Sequence, residues 1–225
     1  MFSDALTYPK SGTDAVKTIL IGGVLTLLSV LLVPIALVTG YVVRVARSVN
    51  DGAETPPVFD DWGELFVDGV KGVAIMFVYF LVPAVVFAVF AGGAAFLGAA
   101  RLGAAVALIG ALVAFPLWLA AWYVGTAGFL NFAVTGRFGA AFEFEALRPI
   151  VTSGTFATAW LVGLGVLVLG SVVSGIIGLI PIIGLLAAFV AFYVTVAATY
   201  CYANGFADVI SVESAPEAPD IDPAV

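Results

Sequence analysis

Four carboxylates stand close together in a polar stretch of an otherwise apolar chain: Asp60, Asp61, Glu64 and Asp68. Carboxylates at such short spacing could ligate a metal ion or serve as general acid and base. The spacing also has a purely structural explanation, because Asp61 followed three residues later by Glu64 resembles a helix capping box. We favour a cap with a solvated acidic face, since no second carboxylate cluster lies in the apolar runs.

The residues after Asp61 predict the helix that would carry these carboxylates. Apolar residues and glycines recur at the spacing of one helix face, with the charged residues opposite: Trp62, Leu65, Phe66, Gly69 and Val70. We expect this amphipathic segment to lie in the membrane interface before the chain turns into the bilayer. Four residues are its predicted interface anchors: Trp62, Phe66, Arg44 and Arg47.

Composition places the rest of the chain in lipid. The 225 residues are 63% hydrophobic and 10% charged, with a mean hydropathy of +1.18. A soluble domain carries about 25% charged residues, so a core of this size could not bury so much apolar surface. The predicted fold is all-α, a polytopic integral membrane protein with about five transmembrane helices and amphipathic interfacial connections.

Five apolar runs are long enough to cross a bilayer, which takes about 20 residues. The predicted spans are about 18–43, 73–97, 103–130, 156–178 and 182–204, within a membrane domain of residues 1–209. Pro34 is expected to kink the first span, because a proline ring removes one backbone hydrogen bond. The turn between the last two spans falls at 178–181, where a re-entrant hairpin is the alternative. Residues 210–225 are expected to be an acidic, disordered tail.

Several kinds of chemistry are excluded or disfavoured by residue type. The chain has no histidine and a single cysteine, Cys201, so we expect no histidine base, no Cys/His zinc site and no internal disulfide. No basic patch suits a nucleic acid. The predicted span cores lack ionisable residues, which disfavours proton-coupled transport. We therefore predict no catalytic, metal-binding or cofactor-binding residues, and no cofactor.

Hydroxyl groups and small residues remain inside the predicted spans. The hydroxyls are expected to bond back to their own or a neighbouring helix, although they could also line a channel: Thr26, Ser29, Ser171, Ser174 and Thr195. Gly170, Ser174 and Gly178 recur every four residues, a spacing that lets helix backbones approach closely. We expect this stripe to pack within the chain, with a homo-oligomer interface as the alternative.

Basic residues predict the orientation. Five spans place Arg44, Arg47, Lys71, Arg137 and Arg148 on one side of the membrane, and Lys10, Lys17 and Arg101 on the other. Because cytoplasmic loops carry an excess of Lys and Arg, the first side is predicted to be cytoplasmic and the N-terminus external.

Four sequence elements resemble a known family: DALTYP, KTILIGG, PIALVTGYVVRVARS and DDWGELFVDGVKG, which cover most of residues 4–72. They are similar to haloarchaeal membrane proteins grouped as domain-of-unknown-function family 4013. The resemblance implies a multi-pass archaeal membrane protein and supplies no catalytic residues. The acidic loops, with a net charge of −7, agree with the halophilic source that it implies.

These features together favour a non-enzymatic protein of the cell membrane, a scaffold or a subunit of a membrane complex. Its expected partners are the lipid bilayer and either a second copy or another membrane protein, with no nucleic acid. The alternative is a channel or carrier for a small neutral solute or lipid. A membrane enzyme ranks third, because its carboxylates would all have to act from the interface.

Overall fold

A computed structural model describes residues 1–98, 101–180 and 183–213. These residues form eight α-helices and three short 3₁₀ segments. The α-helices are α1 (Phe2–Thr7), α2 (Ala15–Leu27), α3 (Leu32–Asn50), α4 (Trp62–Leu97), α5 (Arg101–Thr135), α6 (Phe144–Thr152), α7 (Gly154–Gly178) and α8 (Ala187–Glu213). The 3₁₀ segments are Tyr8–Lys10, Phe138–Phe142 and Ile183–Leu186.

Five helical segments are long and apolar enough to cross a membrane: Leu32–Asn50, Trp62–Leu97, Arg101–Thr135, Gly154–Gly178 and Ile183–Val212. The all-α membrane fold predicted from composition is therefore confirmed. The predicted spans 73–97, 103–130 and 156–178 lie within α4, α5 and α7. Residues 183–204 of the last predicted span lie in Ile183–Val212. Residue 182 of that span and residue 181 of the predicted turn lie outside the described residues.

The first predicted span, residues 18–43, is not one kinked helix. The chain forms α2, leaves helical geometry, and starts α3 at Leu32 after an extended Leu31 (φ −92°, ψ 145°). Pro34 consequently lies in the first turn of α3, where a backbone N–H has no helical partner to lose. A break relieves the clash that a proline ring would cause inside a continuous helix. The predicted kink is thus replaced by a new helix start.

Two other predicted boundaries differ from the structure. The amphipathic segment that follows Asp61 is not a separate interfacial helix, because α4 continues from Trp62 through Pro83 to Leu97. The predicted disordered tail begins too early, since α8 extends to Glu213. Residues 214–225 lie outside the described residues.

The long helices form three antiparallel hairpins. Hairpin 1 is α2–α3, hairpin 2 is α4–α5 and hairpin 3 is α7–α8. In hairpin 2 the position of a Cβ on Gly125 would lie 3.2 Å from the Tyr79 ring. In hairpin 3 Gly163 packs against Tyr202, and Gly170 packs against Val194. Hairpin 1 lies against hairpin 3, where Gly22 and Gly23 of α2 accommodate the rings of two α8 phenylalanines.

The N-terminus lies at the same end of the molecule as the connection between α3 and α4. The Tyr8 hydroxyl donates to the Thr55 carbonyl at 3.3 Å, and the Ser11 hydroxyl donates to the Glu54 carbonyl at 3.2 Å. Burial raises the pKa of the Tyr8 hydroxyl to about 12. The start of α2 and the end of α3 therefore lie at the same end of the molecule. The sequence predicted that Lys10 and Lys17 lie on the opposite side of the membrane from Arg44 and Arg47, and that prediction is wrong.

The physical reason lies in the length of α2. Its 13 residues span about 20 Å at 1.5 Å per residue, which is short of a hydrocarbon core of about 30 Å. The broken first run therefore forms hairpin 1, whose two ends lie at the same end of the molecule. One end of the molecule then carries both interhairpin connections and seven of the eight basic residues: Lys10, Lys17, Arg44, Arg47, Lys71, Arg137 and Arg148.

Candidate functional site

Charged side chains of α3 and α4 converge at the open ends of hairpins 1 and 2. We call this group the ion-pair cluster and define it as Arg44, Arg47, Asp60, Glu64, Asp68 and Lys71. It contains three cations and three carboxylates, so its formal charges balance. Arg44 and Arg47 lie in the last two turns of α3, and the carboxylates lie before and within the first two turns of α4.

Arg44 holds the chain segment that leads into α4. One guanidinium nitrogen bonds the Asp60 carboxylate and also donates to the Asp60 carbonyl at 3.0 Å and the Val58 carbonyl at 3.3 Å. The other terminal nitrogen lies 3.6 Å from Glu64. The Arg44 side chain is 17% exposed, so this predicted interface anchor is largely covered by the residues that it binds.

Arg47 connects three helices. Its Nε donates to the Ala133 carbonyl of α5 at 3.0 Å, and its Nη2 donates to the Asp68 carboxylate of α4 at 3.1 Å. Glu64 lies 3.4 Å from Nη1. Lys71 reaches the second oxygen of Asp68 at 3.4 Å. A charged group with several hydrogen-bonding partners holds helices in one geometry more firmly than an exposed pair does.

The predicted solvated acidic face is correct for three carboxylates and wrong for the fourth. Asp60, Asp61 and Glu64 are exposed, whereas the Asp68 side chain is only 12% exposed. Asp61 is the N-cap of α4 and accepts a hydrogen bond from the Glu64 amide at 3.4 Å. Asp68 is buried where α4 packs against α3, beside Arg47. Its ordinary spacing along α4 held no signal of that burial.

The aromatic anchors lie beside the cluster. Trp62 is 46% exposed and stacks on Phe59 with ring centroids 5.8 Å apart. Phe59 in turn stacks on the buried Tyr41 at 4.2 Å. Phe66 is also exposed. The location of Trp62 and Phe66 in the lipid headgroup layer stays a prediction.

The carboxylates of the cluster do not face one another around a common centre. Each of Asp60, Glu64 and Asp68 pairs with Arg44, Arg47 or Lys71. Among the described residues, no group of three or more histidine, cysteine, aspartate or glutamate side chains could hold a metal ion. The cluster is therefore arranged to join helices.

A cavity of about 280 Å³ lies where the three hairpins meet. We call it the central cavity. Its lining comes from α3, α4, α5, α7 and α8 and is mostly apolar. Four threonines from three helices also line it: Thr39, Thr126, Thr195 and Thr199. Only Thr195 was a candidate from the sequence, because the other three become its neighbours only through tertiary packing.

The five hydroxyls predicted to bond back to their own or a neighbouring helix have three different outcomes. Ser29 donates to the Leu25 carbonyl at 3.0 Å, and Thr195 donates to the Ala191 carbonyl at 2.8 Å. The hydroxyls of Thr26 and Ser174 are buried without a hydrogen-bond partner, which does not match the expectation. Ser171 is exposed. The hydroxyl of Tyr202, in the cavity wall, is also buried without a partner.

The small-residue stripe on α7 does not act as one packing face. Gly170 is buried against Val194 of α8, where a Cβ would clash with the valine side chain. A Cβ on Gly178 would meet no described atom within 4 Å. Among the described residues, the close side-chain contact of the stripe therefore lies at Gly170 and not at Gly178. The reason is that Gly178 is the last residue of α7, beyond the region where the two helices are closely packed.

This difference gives a testable result. Gly170→Leu should disrupt hairpin 3, because leucine adds bulk where Val194 already fills the contact. We expect earlier thermal aggregation and a broader gel-filtration peak in detergent. Gly178→Leu is the matched control on the same helix and should behave like the parent protein. Equal behaviour of the two variants would contradict the assigned packing.

Comparison with known proteins places this architecture in a family. The model of a family described as Protein of unknown function (DUF4013) matches residues 24–181, well over half of the chain. The chain belongs to this family. The match includes α3 to α7 and every residue of the ion-pair cluster. It extends beyond residue 72, where the sequence elements quoted above end, and does not include residues 1–23. No curated protein and no solved structure matches the chain.

Proposed function

We propose that this protein is a non-enzymatic, multi-pass component of the cell membrane, a scaffold or subunit that holds partner helices. The observation that carries the proposal is the exposed apolar surface of hairpins 2 and 3. Large side chains on α4, α5 and α7 are more than half exposed, including Phe87, Phe115 and Val172. In a bilayer such surfaces contact lipid or other transmembrane helices.

The ion-pair cluster supports the same proposal. Catalysis needs polar groups preorganised around a reacting atom. The carboxylates of the cluster instead bind cations of the same cluster and join α3 to α4, while Arg47 also bonds Ala133 of α5. A rigid base with extended apolar helices suits a protein that presents surfaces to partners in the membrane.

Photo-crosslinking in native membranes tests this proposal. A photoreactive residue at Phe87 on α4 or at Val172 on α7 should form adducts of discrete mass with a membrane protein or a second copy of the chain. Val30, at the closed end of hairpin 1 and 95% exposed, provides a control site on another surface. Adducts with lipid alone at all three positions would contradict the scaffold function.

A channel or carrier for a small neutral solute or lipid is the second candidate, and the central cavity favours it. Its threonine hydroxyls could replace part of the hydration of a neutral solute. Solute flux into vesicles reconstituted with purified protein tests this candidate. A rate equal to that of protein-free vesicles for glycerol, urea and a fluorescent phospholipid would exclude these substrates.

A further inference from the structure

We propose that the central cavity binds a lipid-soluble alcohol, an apolar molecule with a hydroxyl group that donates to threonine oxygens. This inference concerns binding and holds whether or not the protein transports anything. It goes beyond a scaffold role, because the cavity lies between the hairpins and its lining does not include the exposed residues Phe87, Phe115 and Val172 assigned to partner helices.

The hydrogen-bonding state of the four threonines determines the chemistry of the site. Each hydroxyl donates its proton to a carbonyl four residues earlier, with distances of 2.7–2.8 Å. A hydroxyl has one proton and two lone pairs, so these oxygens can still accept hydrogen bonds. The four threonines therefore recognise a ligand that donates.

The burial of two of these threonines shields their hydroxyl groups from bulk water. Thr126 and Thr199 are more than nine-tenths buried, so bulk water reaches them poorly. Thr126 already accepts from the Trp160 indole at 3.4 Å, which leaves Thr39, Thr195 and Thr199 more available. A donor placed among them would gain hydrogen bonds that replace those lost on leaving water.

The remaining lining determines the rest of the ligand. Met76, Trp122, Phe129, Leu130 and Leu167 surround the threonines with apolar surface. No carboxylate or basic side chain lines the cavity, so a charged ligand would lose its hydration without an ionic partner. A neutral molecule with an apolar body and one hydroxyl satisfies both parts of the lining. The free phenol of Tyr202 in the same wall is a donor that could complete the hydroxyl's hydrogen bonding.

The full-length protein in detergent provides a direct binding assay. Trp122 lines the cavity and lies 5.9 Å from Trp160, so we would replace the exposed Trp62 and Trp118 by phenylalanine and keep this pair. The probe is a dibrominated medium-chain alcohol, whose bromine atoms quench nearby indoles. Its methyl ether is the matched ligand, with the same chain and no donor. We expect saturable quenching with the alcohol bound at least about tenfold more tightly than the ether.

Variants separate recognition by the hydroxyls from simple partitioning. Thr39→Val and Thr199→Val should each weaken alcohol binding about fivefold and leave ether binding unchanged. Thr158→Val is the matched control, because Thr158 bonds back to Gly154 at 2.8 Å and is exposed outside the cavity. Ala198→Leu should block both ligands by filling the site. Gel filtration shows whether each variant keeps the parent assembly.

Three outcomes would overturn the proposal. Equal affinity for alcohol and ether would show that no hydroxyl is recognised. Quenching that rises without saturation would show only partition into the micelle, with the cavity holding water or nothing. Unchanged alcohol binding in a correctly assembled Ala198→Leu variant would place the alcohol elsewhere.

Discussion

Cysteines introduced by Ser3→Cys and Glu54→Cys will react with an impermeant maleimide from the same side of the membrane. The hydrogen bonds of Tyr8 and Ser11 to Thr55 and Glu54 hold the two chain segments at one end of the molecule. If residues 18–43 crossed the membrane once, as the sequence predicted, residues 3 and 54 would lie on opposite sides. The difference in labelling is all or none, so it separates the two arrangements without further interpretation.

The expected side is the cytoplasm. Seven of the eight basic residues lie at this end, and Arg101 alone marks the closed end of hairpin 2. Because cytoplasmic loops carry an excess of Lys and Arg, both cysteines should be protected from the reagent in intact cells and labelled after permeabilisation. The background carries Cys201→Ala, and Arg101→Cys is the control that intact cells should label. Labelling of Ser3→Cys alone in intact cells would contradict the hairpin.

Arg47→Met is expected to be the most destabilising single change in the ion-pair cluster. It leaves Asp68 largely buried and removes the hydrogen bond to the Ala133 carbonyl. Loss of one partner of a buried pair costs about 3–5 kcal/mol. Since the Arg47 side chain is one-third exposed and Lys71 still pairs with Asp68, we expect about 2–4 kcal/mol from the weakened pairing of the carboxylate and the lost hydrogen bonds.

Unfolding in mixed micelles, followed by tryptophan fluorescence, measures this free energy. Arg137→Met is the matched control, because Arg137 pairs with Glu143 at 2.8 Å in an exposed position. That change should cost far less than Arg47→Met, because solvent screens an exposed ion pair. Combining Arg47→Met with Asp68→Leu should recover part of the loss, since it removes the buried carboxylate and leaves only the partly exposed Lys71 without a partner. If Arg47→Met cost no more than Arg137→Met, the assigned role of Arg47 would be wrong.

The cluster and the cavity have different relations to the sequence. The carboxylates at 60–68 were visible as a group because they are close along one chain segment. Their partner Arg47 was predicted only as an interface anchor, and its contact with Ala133 joins residues far apart in sequence. The cavity gave still less signal. Its threonines lie on three helices, and no local pattern distinguishes them from threonines that only bond back to their own helix.

Composition and local pattern determined that the chain is helical, apolar and suited to a membrane, because lipid exposure and backbone hydrogen bonding leave few alternatives to long apolar helices. The Asp61 cap was also readable, since a cap depends on residues within one turn. Tertiary structure alone decided that hairpin 1 returns to the end it left and that Asp68 is buried. These features depend on how helices pack against one another, and that packing is settled by contacts between residues far apart in the chain.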